Sequence, residues 1–411
     1  MADTMRLKEV EVLSGTTISP SCRSTSEQRI IINASKMSLS KSLGVIRFLA
    51  GAASSIRGDS HFDFVVDSRA DFEASALGGV FQSSCDRVTL TADFRVASVS
   101  DATVEIVAHH FLKPLSQLPT VQIFHDFHVF TVPEKYGNPS KSQQSIRDNY
   151  RNCSAAITHF PYTYFMFDDY LQEGAAKLFL MPSPLMLSPS KIESPAGSVL
   201  NERERPAHPK QLSLFYPAQL QYHKNHRALF EAVGKLRRDW DVKCVLCGSE
   251  FNDVETARIF GEIHEFEVAQ FVEYLGVVDE DTLCRLFSES DVTVVPSLAE
   301  GGAYVALEAL ACGGRVACSQ IEQAVMHLDA AGVSSDVSFF DPRSADDMAT
   351  AIVKARGYEG RFASSTRFDT WEDYGVSLQR VIDFVTGQSD RPIVRIDGSG
   401  KYRGFAEASL Q

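Results

Sequence analysis

At 411 residues the chain is too long for one ordinary core, and 44% hydrophobic with 23% charged side chains is the profile of a globular enzyme-sized protein, not of a disordered or fibrous one. The formal net charge of −13 argues against a nucleic-acid partner, which calls for clustered Lys and Arg, and against a polybasic membrane anchor. The opening MADTMRLKEVEVLSGTT lacks the apolar run of a signal peptide, and no eighteen residues in a row are apolar, so a cytoplasmic protein is expected, at most peripheral to the inner face of a membrane.

In chain order, RIIINA (29–34), FDFVV (62–66), VEIVA (104–108) and TVQIF (120–124) are short β-branched runs separated by helix-compatible stretches, the pattern of a parallel sheet with crossover helices. The stretch 188–210, rich in Pro, Ser and charge, reads as a linker. A second series follows: LSLFYPA, the helical spacing of KNHRALFEAVGKLRR, then VKCVLCG, VAQFVEYLG, DEDTLCRLFSES, DVTVVPS, YVALEALACGG and RVACS. WEDYGVSLQRVIDFV (371–385) again has helical spacing, and 388–411 is a polar tail. The expected fold class is α/β, with two Rossmann-like β/α/β domains facing across a cleft, where ligands meet the carboxyl ends of the strands. The eight cysteines are scattered, and the CxxC of Cys244 and Cys247 falls inside a strand-like run without a second pair at zinc spacing. Free, buried thiols are expected there.

The stretch DVTVVPSLAEGGAYVALEALACGG (291–314) carries the most chemistry. A buried strand enters a loop, Glu300 precedes Gly301 and Gly302, and a helix runs until Gly313 stops it. Unpaired N–H groups and the dipole at that helix start favour an anion, and side-chain-free glycines let a phosphate or sugar hydroxyl approach the backbone. Glu300 is expected at the helix mouth and Glu308 about two turns inward. A bare glutamate pair at this spacing is more often a solvated helix face, so its neighbours decide. In LFYPAQLQYHKNHRALFEAV (214–233) a strand ends and His-Lys-Asn-His opens a helix, placing Lys224 at the turn.

In these motifs the chain resembles the retaining glycosyltransferases of the GT-B fold, family 4 (glycosyl transferases group 1), marked by two glutamates with seven residues between them in a strand–loop–helix unit. The ordered set from 213 to about 355 carries most of the likeness. It implies a donor domain at 211–365 and an acceptor-side domain at 1–190, joined by the 188–210 linker. A C-terminal helix at 366–387 would pack back on the N-terminal domain. By the same likeness Glu300 and the backbone of Gly301, Gly302, Ala303 and Tyr304 contact the donor sugar and phosphate, and Glu308 accepts from the nucleotide ribose hydroxyls. Lys224 pairs with the leaving diphosphate, Gly248 permits a tight turn, and Gly276, Val277 and Val278 border the base. Gln219 stands where many members carry an arginine, leaving one fewer cation on the diphosphate.

In the first domain, IFHDFHVFTVPEKYG (123–137) resembles a family variant with His-Asp at a strand end. His125 would sit over the transferred sugar as a neutral imidazole, and Asp126 would orient it or take the acceptor's proton. His109, His110 and Ser40 fall on the acceptor side. Two departures stand out: ASKMSLSKSLG (34–44) lacks the family's Gly-rich turn, and Phe160 replaces an expected serine.

The function implied is metal-independent transfer of a hexose, with retention, to a saccharide or lipid-linked saccharide acceptor in polysaccharide assembly. No cofactor or metal is expected, DSRAD (67–71) being no metal cluster, and YPAQLQYHKNH leans to GDP-mannose as donor. Rival classes are a nucleotide-sugar epimerase or hydrolase of the same fold and a non-catalytic sugar-nucleotide-binding subunit. A dinucleotide dehydrogenase is disfavoured because no GxGxxG follows a strand.

Overall fold

A computed structural model describes residues 28–39, 42–56, 58, 60–81, 86–95, 101–171, 177–187, 210–358 and 370–389. Ser40, Cys22, Cys85, most of the expected linker (188–209) and nearly all of the expected tail (from 390) lie outside the described residues. The chain forms two compact units: Met1–Phe130 with Tyr136–Met186 and Arg367–Gln411, and Thr131–Lys135 with Leu187–Thr366.

The first unit is built on seven parallel strands: β1 (Gln28–Asn33), β2 (Ser60–Val66), β3 (Arg87–Leu90), β4 (Ala102–Val107), β5 (Thr120–Phe124), β6 (Ala155–Thr158) and β7 (Leu178–Leu180). Their order is β3-β2-β1-β4-β5-β6-β7. Ile30 to Ile32, Phe62, Phe64 to Val66 and Val104 are all buried, the near-continuous apolar run of a sheet covered on both faces. Helix Trp371–Val385 starts with a capping box on Thr370 and packs on helix Leu43–Ser55. The contact is close because two glycines face it: a Cβ on Gly51 would lie 2.4 Å from the Trp371 ring, and one on Gly375 2.4 Å from the Ser55 carbonyl. Glu105, wholly buried on β4, accepts from Asn33 Nδ2 (2.9 Å), Leu115 N, Ser116 N and Ser116 Oγ, so this carboxylate ties down the chain that follows β4.

The second unit has six parallel strands: β8 (Gln211–Pro217), β9 (Asp241–Cys247), β10 (Val272–Tyr274), β11 (Val292–Val295), β12 (Val316–Ser319) and β13 (Val337–Phe340). They are ordered β10-β9-β8-β11-β12-β13. Helices His226–Leu236, Asp253–Glu265, Glu280–Glu289, Tyr304–Ala311, Glu322–Ala330 and Ala345–Arg356 connect them. Asn252, Asp279 and Ser344 each accept from the amide three residues on, the expected N-cap bond. Cys244 and Cys247 are free thiols buried in β9, and burial pushes both up to about 12, so the CxxC is structural.

Both units thus have the strand order of a Rossmann fold, reversing direction between β1 and β4 in one and between β8 and β11 in the other. Ligands of such sheets bind beyond the carboxyl ends of the strands at that reversal.

Candidate functional site

In the second unit the reversal point is held by a local network. Tyr216, near the end of β8, donates its hydroxyl to the Lys224 carbonyl at 2.9 Å and lies 3.3 Å from Ser297 Oγ beyond β11. After the turn Tyr222–Lys224, Asn225 adopts a left-handed backbone (φ 58°) and donates from Nδ2 to the carbonyls of Pro296 and Pro342, each at 2.8 Å. Leu298 N donates to the His223 carbonyl at 2.8 Å, so the loops after β8 and β11 are stapled together. Lys224 Nζ donates to both oxygens of Glu300, at 2.7 and 2.9 Å, and Ser297 Oγ donates to Oε1 at 2.5 Å. With 19% and 14% of their side chains exposed, the two charges are largely desolvated, mutually compensated and still reachable. Burial and the Glu300 charge together drive the Tyr216 phenol well above its ordinary value, so it acts as a neutral donor.

The helix that follows begins at Tyr304, four residues past Glu300, and Glu308 is one turn into it, not two. Glu308 is nearly buried, at 9% exposure. Of the amides expected to meet an anion, Ala303 N is spent: it donates to His327 Nδ1 at 2.9 Å, and burial drives that imidazole down to about 4, keeping it a neutral acceptor. The other turns align beside the network. Gly248 (φ 141°) follows β9 and donates to the Gly276 carbonyl at 2.8 Å, while Tyr274 OH donates to the Gly248 carbonyl at 2.7 Å. Gly276 is left-handed (φ 68°), Val277 is 58% exposed and Val278 half-buried. Gln219 Nε2 donates to Ser249 Oγ at 3.0 Å, and Gln221 Nε2 to Gln219 Oε1.

In the first unit the strand ends gather histidines. His125, half-buried after β5, has Nε2 2.9 Å from the Ala108 carbonyl, so Nε2 carries the proton. Its ring lies 5.5 Å from that of His109, 5.6 Å from His159 and edge-on to Phe48 at 5.8 Å. Burial lowers all four imidazoles, His110 to about 4 and His159 to about 3, with His109 and His125 also depressed. Two expectations are corrected. Asp126 does not orient His125: its Oδ1 accepts from His128 N at 2.9 Å and lies 3.5 Å from His128 Nδ1. Burial pushes this carboxyl up, yet the His128 and His110 rings and the His128 amide outweigh that and hold it below the usual range. His110, at 1% exposure, is enclosed and lines no surface, whereas His109 is half-buried. In the DSRAD stretch Ser68 caps a short helix, and Asp67 accepts from Lys36 N and Thr91 Oγ1. Among the described residues no three His, Cys, Asp or Glu are grouped to hold a metal ion.

Residues 200–356 match the family model described as glycosyl transferases group 1. Over 268 residues the chain is 24% identical to O-antigen chain mannosyltransferase B of Escherichia coli, covering 62% of this chain and 67% of that one. The likeness to group 1 glycosyltransferases thus lies mainly in the second unit. Two solved structures share the chain's fold. Sucrose-phosphate synthase from Thermosynechococcus elongatus matches with a TM-score of 0.64 at 15% identity, over 88% of this chain and all of that one. HepE of Anabaena, in complex with UDP and glucose, matches with 0.59 at 14% identity, over 88% and 98%. These likenesses give the chain the GT-B fold, two parallel α/β sheets.

The matched segment holds the Lys224–Glu300 pair, Glu308, Gly248 and Gly276, all at the carboxyl ends of the sheet or on the helix that leaves it. Tyr216, Ser297, Asn225 and His327 are parts of this site that local sequence pattern did not single out. Asn225 and Ser297 lie one and three residues from Lys224 and Glu300 and were open to inspection. His327, 24 residues beyond Ala303, offered no local signal. No described helix is long and apolar enough to cross a membrane.

Proposed function

We propose that this chain is a cytoplasmic, retaining, metal-independent hexosyltransferase of family 4, drawing on a nucleotide-sugar and serving polysaccharide assembly. The observation that carries the reading is the Lys224–Glu300 pair at the β8/β11 reversal point, one loop ahead of the Tyr304–Ala311 helix. A diphosphate arriving there finds an ammonium and the amides of a helix start, and a sugar hydroxyl finds the carboxylate that the phosphate displaces. Lys224 and the amides of Gly301, Gly302 and Tyr304 then hold the leaving diphosphate, and the acceptor hydroxyl attacks from the same face. Glu308 takes the ribose hydroxyls, and Gly276, Val277 and Val278 border the base. On the acceptor side, His125 as a neutral imidazole bonds the transferred sugar, with His109 beside it.

GDP-mannose is the first donor to try, on the likeness to an O-antigen mannosyltransferase. UDP-glucose is the second, since HepE, of the same fold, was solved with UDP and glucose. Thermal stabilisation by GDP, UDP, GDP-mannose and UDP-glucose, with and without EDTA, tests the reading. A shift with one base that survives EDTA and vanishes in Glu308→Ala supports it. A shift that EDTA abolishes refutes metal independence, and none with any nucleotide refutes the donor site.

A further inference from the structure

The second unit includes the short segment Thr131–Lys135, whose last residue closes a turn of 3-10 helix, Pro133–Lys135. Lys135 Nζ donates to Gln221 Oε1 at 2.9 Å and to His223 Nδ1 at 3.1 Å. An ammonium accepts nothing, so His223 Nδ1 is the acceptor and its ring proton sits on Nε2. Gln221 bonds Gln219, and Gln219 bonds Ser249, so a row of polar side chains runs from Lys135 across the loops that follow β8 and β9. His223 immediately precedes Lys224, and its carbonyl is where the loop after β11 attaches. Lys135 is therefore bonded to the loop that carries Lys224.

The charge at this point is unbalanced for the ligand proposed above. Lys224 and Glu300 cancel, Gln219 and Gln221 are neutral, and a nucleoside diphosphate carries more than one negative charge. We propose that Lys135 is a second cation of the donor site and binds the diphosphate directly. On binding, its ammonium exchanges the neutral acceptors Gln221 Oε1 and His223 Nδ1 for phosphate oxygens, which adds the attraction of opposite charges to bonds that are already charge-assisted. Gln221 keeps its bond to Gln219 and Gln219 its bond to Ser249, so the loops keep their own ties. The inference rests on the reading of the second unit as the donor site.

The test is the dissociation constant of GDP and of UDP, with guanosine and uridine as uncharged probes, for the full chain and four variants. Lys135→Ala and Lys135→Gln are expected to weaken the better-bound diphosphate about tenfold and to flatten its salt dependence. Both variants should leave the nucleoside affinity and the melting midpoint unchanged. Adding Gln219→Lys to Lys135→Ala should restore most of the loss. If Lys224→Ala loses the diphosphate while Lys135→Ala and Lys135→Gln do not, Lys135 is no ligand and the donor site stands. A parallel loss of nucleoside affinity assigns Lys135 a structural role and overturns the inference. If the unaltered chain binds neither diphosphate, the donor site itself fails and the inference with it.

Discussion

Over six strands the two sheets have the same order and the same reversal point, the first adding β7 at its edge, yet opposite chemistry is gathered at their ends. In the first unit four imidazoles are gathered, His110 and His159 buried and His109 and His125 half-buried, and loss of solvent lowers each one's hold on a proton. In the second, Lys224 and Glu300 keep opposite charges in contact, with Ser297 as a further donor to the carboxylate. A titratable group removed from water either becomes neutral or acquires a counter-ion, and this chain takes one solution at each site. The first arrangement suits hydrogen bonds to an uncharged sugar. The second stores charge that a charged ligand can claim.

Acid should separate the two units, and this is the largest effect expected. An exposed histidine in the unfolded chain takes its proton near 6.5, whereas His110 and His159 in the fold take theirs only near 4 and 3. The unfolded state therefore binds more protons, and stability falls as pH drops through the window from 6.5 to about 4, by up to about 1.4 kcal/mol per pH unit for each such histidine. The first unit has four depressed histidines and the second has His226 and His327, so the first should fail earlier. Each unit contains one of the two tryptophans, Trp371 and Trp240, and single Trp→Phe variants would report the units separately. Coincident loss of both fluorescence signals on acidification would contradict the contrast.

The charged site is probed by Lys224→Ala, which should lower turnover with a nucleotide-sugar donor by about 10²-fold, on the scale of lost oxyanion donors. Unchanged turnover would remove Lys224 from the leaving-group site. Gly248→Ala tests the scaffold beside it. At φ 141° a side chain is strained, and its Cβ would come within 2.2 Å of the Ala218 carbonyl. A loss of about 2 kcal/mol is expected, a drop of roughly 4 to 8 °C in the melting midpoint of the second unit. A smaller shift would mean that the turn after β8 yields easily.

How much of this was legible in the sequence differs by region for physical reasons. In the second unit the apolar runs, the turn glycines and the charged residues are close together along the chain, so the strands β8, β9 and β11 and the Lys224 and Glu300 positions could be inferred from local pattern. Lys224 was expected to await a phosphate, and its bond to Glu300, 76 residues away, depends on strand order that no local pattern reveals. Only one turn separates Tyr304 from Glu308 because the loop after Glu300 is longer than the glycines suggested. In the first unit β6 (AAIT) and β7 (LFL) are too short and plain to stand out, although β1, β2, β4 and β5 were evident from their β-branched runs. The pairing of Asp126 with His128 instead of His125 is a matter of turn geometry after β5, where either neighbour was possible.

Glu300→Gln distinguishes stored charge from a fixed structural pair by the smallest but most diagnostic effect. In the ligand-free protein the carboxylate occupies Lys224 through both oxygens, so a diphosphate has to displace it. The amide removes the negative charge and weakens its hold on the ammonium while nearly preserving shape. Diphosphate affinity should therefore rise, by about threefold, because the phosphate no longer competes with a carboxylate for the ammonium. Transfer of the sugar should fall in the same variant, since the carboxylate released by the phosphate is the group proposed to hold the sugar hydroxyl. Tighter binding of UDP or GDP together with slower transfer is an outcome that general destabilisation does not produce, because a loosened site binds less and turns over less. If Glu300→Gln weakens diphosphate binding, the pair is a structural clamp whose loss lets Lys224 wander, and the contrast between a neutral site and a charge-storing site loses its second half.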